Sequence, residues 1–377
     1  MTDDVTPGGL RIMIVLLSGT WMGTARLPRA LASAGFRVAS FCHEDSFLSK
    51  TRYAEYIFKA PVTGSAFPYL VKAVRQYRPE LLIPGCDLSV RFLQEIVRAG
   101  SDGRLGEAMS DVLALVQRSL GNPDYYHATL SKHETLQVAA ELGLRTPQQS
   151  LVTGIEDAIR CGGNYGFPLV LKGEFGFAGN EVRMCSKPDE VAAAYRSLSR
   201  GHNQRIVAQQ YIRGAVAMQT ALAVSGRALE SMTMLKERTH PQPAGPSSVI
   251  KFVENEESER ATSLLIEKYG YTGFGSADFI IENDTQSAYL LEFNPRPVPA
   301  CTLGWLFGRD LCRALWCHLS GIPYQRKPAA GGHQTVALFP NEWLRDPQSP
   351  FLTQAYHDVP WDDPLLLKAL VQATVHE

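Results

Sequence analysis

Short apolar runs alternate with amphipathic stretches through the first third of the chain, the pattern of strands and helices wound into a parallel sheet. Ile12 to Leu17 predicts the first strand. Ser18, Gly19 and Thr20 turn the chain, Pro28 suits the first turns of a helix ending near Gly35, and Phe36 to Phe41 predicts a second strand. Leu81 to Ile83 predicts another, closing at Pro84, Gly85, Cys86 and Asp87. These elements predict a Rossmann-like, strand-helix-strand domain over residues 1–120, with a ligand crevice at the carboxyl ends of its strands, where Asp87 falls. The GTWMG loop at 19–23 lacks both the GxGxxG spacing and the GxxxxGK lysine, so it reads as a tight turn.

Further on, Ser131 and Glu134 form a capping-box signature and Gly143 a stop, predicting a helix over 131–143 with Lys132 in its first turn. After Pro147 the texture changes to strands joined by Gly-bearing turns: Phe167 to Lys172, Glu181 to Cys185, Arg205 to Ile212, Val216 to Val224 and Ala228 to Met234. A helix from Lys187 to Leu198, N-capped by Ser186, interrupts them. A Pro-rich loop at 239–248, a helix from about 256 to Tyr269, a hairpin from Gly275 to Arg296 and a helix near 310–320 follow. The tail, 331–377, is too rich in Trp, Leu and Phe for plain disorder and is expected to pack on the body.

Composition narrows the partners. With 37 Lys and Arg against 38 Asp and Glu the net charge is -1, so no global field draws the chain to nucleic acid or anionic lipid, and small molecules are the expected partners. The opening MTDDVTPGG is acidic where a secretory signal is basic, and the apolar run after it is too short to span a bilayer, which predicts a cytoplasmic protein. Seven scattered cysteines without a CxxC pair predict reduced, buried thiols, and the adjacent Cys317 and His318 read as core rather than metal ligands.

The hairpin carries the sharpest chemistry. SADFIIE (276–282) and AYLLEF (288–293) flank a five-residue loop. If Glu282 faces Ala288, a symmetric ladder sets Asp278 opposite Glu292, and strand alternation turns Asn294 to the same face, with cross-strand neighbours about 5 Å apart. Two carboxylates and an amide oxygen suit a hard cation such as Mg2+, with Mn2+ an admissible substitute. Unpaired acids in such apolar strands would be costly otherwise. Arg296 would add a positive fork nearby.

Upstream, FPLVLKGEFGFAGNEV (167–182) is a strand ending in Lys172, a loop carrying Gly173, Gly176, Ala178 and Gly179, and a second strand. Such glycines let backbone N–H groups close on a phosphate. The AQQYIRG strand at 208–214, then Lys236 and Arg238, complete the series.

Lys132, Lys172 with its glycine loop, AQQYIRG, Lys236, Asp278 and Glu292-Phe-Asn-Pro-Arg296, in this order, resemble the ATP-grasp superfamily of D-alanine D-alanine ligase, biotin carboxylase and the carbamoyl phosphate synthetase large chain. The resemblance spans roughly residues 12–320, LEFNPRP being its most specific piece. It implies an α/β ATP-grasp fold of α+β lobes: the N-terminal parallel-sheet domain at 1–120, a linker helix and small lid domain at 121–210, and a larger domain with the metal site at 211–330. It further implies Lys132, Lys172, Gly173, Gly176, Ala178, Gly179 and Lys236 on nucleotide phosphates, and Gln209, Gln210, Tyr211 and Ile212 along adenine. Asp278, Glu292 and Asn294 would hold the metal, and Lys172, Lys236 and Arg296 would serve the transferred phosphoryl group. Val216 stands where many relatives place a ribose-binding acid, and Ser276 where the D-alanine ligases place an arginine.

The implied function is an ATP- and Mg-dependent ligase that activates a small carboxylic acid as an acyl phosphate and joins it to an amine, in a chain free to form a homodimer. The alternatives are an ATP-grasp carboxylase or kinase-type phosphotransferase and, behind them, a nucleotide-binding regulator without turnover. The acid and amine pockets are expected between the N-terminal and C-terminal domains, lined by residues after Asn294 and by Lys236 to His240.

Overall fold

The computed structural model describes residues 9–174, 181–200, 205–241, 245–330 and 332–374, with all their side chains but that of Glu107. Three sheets organise it. The first is parallel, in the order β3-β2-β1-β4, from β1 (Arg11–Leu16), β2 (Arg37–Cys42), β3 (Tyr56–Lys59) and β4 (Leu81–Pro84). Its strands read as continuous apolar runs because both faces are covered: Ile12 through Leu16 are all fully buried. Met13 and Val15 pack under the flanking helices with Leu70, Leu93 and Val116, while Ile12, Ile14 and Leu16 share a core with Met218, Met234 and Ile250 of the largest sheet. That shared core fixes the first unit against the rest of the chain.

The second sheet is antiparallel, β5-β8-β6-β7, from β5 (Gln149–Val152), β6 (Leu169–Gly173), β7 (Val182–Cys185) and β8 (Ile206–Gln210). A small core of Leu169, Leu171, Val191, Ile206 and Ala208 backs it. The third sheet has seven strands. These are β9 (Gly214–Val224), β10 (Arg227–Thr239), β11 (Ser247–Val253), β12 (Gly273–Glu282), β13 (Ala288–Asn294), β14 (Thr335–Leu338) and β15 (Tyr356–Asp358), in the order β13-β12-β9-β10-β11-β14-β15. Only its last pair, β14 with β15, runs parallel.

Several local expectations need correction. The Lys187 to Leu198 helix runs from Pro188 to Ser199 with Lys187 at the cap, because proline takes the first helical position; the Ser186 N–H is met instead by Glu190. β10 continues to Thr239, so Lys236 and Arg238 stand on a strand rather than on the approach to a loop. β8 ends at Gln210, leaving Tyr211 and Ile212 beyond it. The strands β3 and β11 were not anticipated, and neither were the two that the tail contributes. Ser131 does cap its helix, accepting from the Glu134 N–H at 3.1 Å, and Gly143 closes it at φ +70. All seven cysteines are free and buried. No helix among the described residues is long and apolar enough to cross a membrane.

The tail returns to the first unit. Arg26 donates to Asp358 and to the carbonyl of Phe339 (2.8 Å), Arg29 pairs with Asp362, the Tyr53 hydroxyl donates to Asp362 at 2.7 Å, and Thr51 to Asp363. An apolar seam of Ala25, Phe339, Leu366 and Leu370 lies beneath.

Candidate active site

The hairpin of β12 and β13 meets the predicted geometry by a different route. Ile281, not Glu282, faces Ala288, which alone would slide every later pair by one residue. A bulge leaves Leu291 without a partner, and beyond it Asp278 stands opposite Glu292, Ala277 opposite Phe293 and Ser276 opposite Asn294. The bulge therefore restores the acid pair. On β9, Gly214 lies so close under β12 that a Cβ would sit 2.1 Å from the Ile281 carbonyl oxygen, so no larger residue fits this end of the ladder.

Three lysines from separate elements converge on these acids. Lys236 of β10 reaches across β9 to Asp278 at 2.6 Å, and Lys132, from the first turn of its helix, approaches Glu292 at 3.7 Å. Lys172 at the end of β6 is buried, and burial lowers its pKa to about 8, with Lys132 adding to the shift and Glu292 opposing it. Burial presses Glu292 upward, but Lys132, Lys172 and Lys236 outweigh it and hold the carboxyl below its ordinary range. Asp278 goes the other way: burial, with the Glu292 charge beside it, raises it in spite of Lys236. A buried acid raised next to a second acid is an arrangement that a divalent cation relieves.

The structure gathers Asp278, Glu292 and Asn294, and the donor set fits Mg2+: two carboxylates with one amide, and the rest of the shell left to phosphate and water. The Asn294 amide nitrogen points to Glu292 at 3.3 Å, so a cation on this face would take the amide turned over. Among the described residues no group of three or more His, Cys, Asp or Glu offers a rival metal site.

Arg296 is held differently from the lysines. Its Nε donates to Asp87 at 2.8 Å and its guanidinium lies 4.7 Å from the centre of the Trp21 ring, both partners coming from the first unit. The 19–23 loop is thus more than a tight turn, because Trp21 braces a site arginine. Sequence reasoning missed Trp21; Asp87 it placed at a strand end without a partner.

A cleft of about 870 Å³ joins these groups. At one end it is lined by Val170, Lys172, Gln209, Gln210, Tyr211 and Ile212, in the middle by the acids and Lys236, and at the other by Trp21, Asp87, Arg91 and Arg296. Lys236 to Thr239, Pro295 and Val298 to Ala300 also line it. Leu338 to Asn341 and Leu370 of the tail line it too, which the sequence did not announce. Its Lys and Arg outnumber its Asp and Glu seven to five among the described residues. Gly176, Ala178 and Gly179 lie outside those residues. Gly173 ends β6, and the next residue, Glu174, is fully buried, pairing with Arg205 at 2.8 Å and accepting from Ser131, so the start of the glycine loop is tied to the Lys132 helix.

Residues 129–235 match the RimK-like ATP-grasp domain. The chain is 19% identical over 289 residues to the carbamoyl phosphate synthase large chain of Thermotoga neapolitana, covering 73% of this chain and 25% of that one. It spans at most a quarter of the curated relatives it matches. Among solved structures it resembles the biotin carboxylase domain dimer of Hydrogenobacter thermophilus 2-oxoglutarate carboxylase, bound to MgADP, ADP and bicarbonate, with TM-score 0.60 and 16% identity over 84% of this chain and 71% of that one. It also resembles the L-amino acid ligase of Bacillus licheniformis, with TM-score 0.58 and 14% identity over 82% and 74%. At these identities the likeness is one of fold.

Proposed function

We propose that this chain, whose residues 129–235 match the RimK-like ATP-grasp domain and whose fold resembles that of a biotin carboxylase domain, is an ATP-dependent ligase coupling a carboxylic acid to an amine through an acyl phosphate. The observation that carries the reading is the convergence of Lys132, Lys172 and Lys236 on the facing acids Asp278 and Glu292 at the middle of one cleft. A polyanion is the complement of such a group, and a triphosphate with its metal ion supplies both signs.

Asp278, Glu292 and the Asn294 side-chain oxygen would hold Mg2+ or Mn2+. When bound, the ion supplies a Lewis acid toward phosphate oxygens. Gln209 to Ile212 would line the adenine end, and Lys132, Lys172 and Gly173 would meet phosphates. The unit at 121–210 would act as lid, 211–330 as base, and 1–120 would face them across the acid pocket. In the reaction an oxygen of the acid attacks the γ-phosphorus as the bond to ADP breaks. The amine nitrogen then adds to the acyl carbon, phosphate leaves, and the amine proton passes to solvent. Lys172, Lys236 and Arg296 offset the negative charge as it moves, and no protein nucleophile is needed.

Hydroxylamine trapping tests this. Protein, Mg-ATP, hydroxylamine and a pool of carboxylic acids should yield hydroxamate and ADP together. Release of ADP without hydroxamate, on the acid that stimulates it, would overturn the acyl phosphate. Bicarbonate belongs in the pool because the 2-oxoglutarate carboxylase structure binds it. Release that depends on bicarbonate alone would turn the assignment to carboxylation.

A further inference from the structure

The tail builds one wall of the cleft at the end away from Gln209 to Ile212. β14 pairs with β11 and delivers Leu338, Phe339, Pro340 and Asn341 directly into the lining, and the helix Pro364–Thr374 adds Leu370. Phe339 and Leu370 pack against Met22 and Ala25 of the first unit, and Trp21 and Arg26 line the same space beside them. Arg26 joins the two sides, since it lines the cleft, donates to the Phe339 carbonyl at 2.8 Å and pairs with the buried Asp358. Arg29, Tyr53 and Thr51 fasten Asp362 and Asp363 beside it. On the side nearer the acids, Val298, Pro299 and Ala300 continue an apolar floor, and Arg296 and Arg91 mark its polar edge.

An apolar compartment with cations at its edge, and its far wall clamped by ion pairs, is built for a particular shape of ligand. We propose that the compartment receives an acid bearing a bulky apolar group. The carboxylate lies toward Arg296 and the apolar group lies against Phe339, Leu370 and Met22, so that the tail is the specificity-determining wall of the site. This rests on the ligase reading for the identity of the ligand as a carboxylate. Apolar surface recognises apolar surface roughly in proportion to the area removed from water, so the apolar area of the group sets the preference.

The test is calorimetric titration of the full chain, saturated with Mg-ADP, using two pairs of probes: 3-phenylpropanoate against propanoate, and L-phenylalanine against L-alanine. The phenyl group should tighten binding at least tenfold in one pair or both. Phe339→Ala and Leu370→Ala should erase most of that gain while leaving the truncated probes unchanged. Phe339→Leu, which preserves the seam, should retain part of it, and this keeps the test meaningful if an alanine variant fails to fold. Equal binding within both pairs, or an undiminished phenyl preference in folded variants, would overturn the proposal. The ligase reading fails separately: phenyl selectivity without hydroxamate from any acid sinks the chemistry and leaves the pocket standing.

Discussion

Two of the places where the described residues set cations against carboxylates, the seam and the cleft, are built in opposite ways. Along the seam between tail and first unit the charges close on one another: Arg26 with Asp358, Arg29 with Asp362, and Asp362 and Asp363 again with Tyr53 and Thr51. In the cleft, Lys132, Lys172 and Lys236 crowd one acid, and even without Arg26, which the seam already pairs, the described lining holds six Lys and Arg against five Asp and Glu. A closed pair offsets much of its own desolvation, whereas an excess of like charge is relieved only by a ligand of opposite sign. Burial of charge alone therefore does not separate a fastening from a site. The balance of the charge does.

The contrast breaks most visibly at Glu292. Glu292→Gln should lower ADP release on the order of 10³-fold, a loss far beyond the modest fall in melting temperature expected when Lys132, Lys172 and Lys236 lose the acid they hold ionised. Activity within tenfold of the parent would end the assignment of the hairpin. The seam should respond in the reverse sense. Arg26→Ala leaves Asp358 buried without its partner and should cost about 3 kcal/mol of stability, read by denaturant unfolding. Adding Asp358→Asn to that variant should recover a good part of the loss. If the double variant is no more stable than Arg26→Ala, the pair is not a closed unit and the contrast weakens.

The sequence made the two regions unequally legible. The cleft was readable because its residues have a required order and spacing: a lysine after a capping serine, a lysine before a glycine loop, and acids on a hairpin. Even so, the ladder from Glu282 and Ala288 was wrong by one residue, and the Leu291 bulge brought Asp278 opposite Glu292. Nothing in an apolar strand of this composition marks where it will bulge. The seam was invisible for a different reason. Arg26 and Asp358 are 332 residues apart, and a pairing of that range leaves no local period or cap to read. β14 and β15 are four and three residues long, too short for alternation to show. Trp21 was hidden likewise, since its partner Arg296 becomes apparent only when the first sheet is docked on the third.

The smallest expected effect is also the one that sharpens the contrast most finely, because it moves binding and stability in opposite directions. Burial lowers Lys172 to about 8 from the ordinary 10.5. If its charged form is what a nucleotide phosphate meets, raising the pH from 7 to 9 should weaken Mg-ADP binding about tenfold, following the fraction still protonated. Lys172→Arg should bind with little change over that range, since a guanidinium stays charged. Folding goes the other way. Between about 8 and 10.5 the unfolded chain holds the proton that the native lysine has given up, so this residue's contribution to stability rises with pH across that window; below about 8 it carries the full cost of a buried charge. Titration calorimetry and urea unfolding on one set of buffers would read both. A loss of affinity of the same size in Lys172→Arg would place the titrating group elsewhere, and stability falling with pH in step with affinity would make Lys172 a fastening like those of the seam.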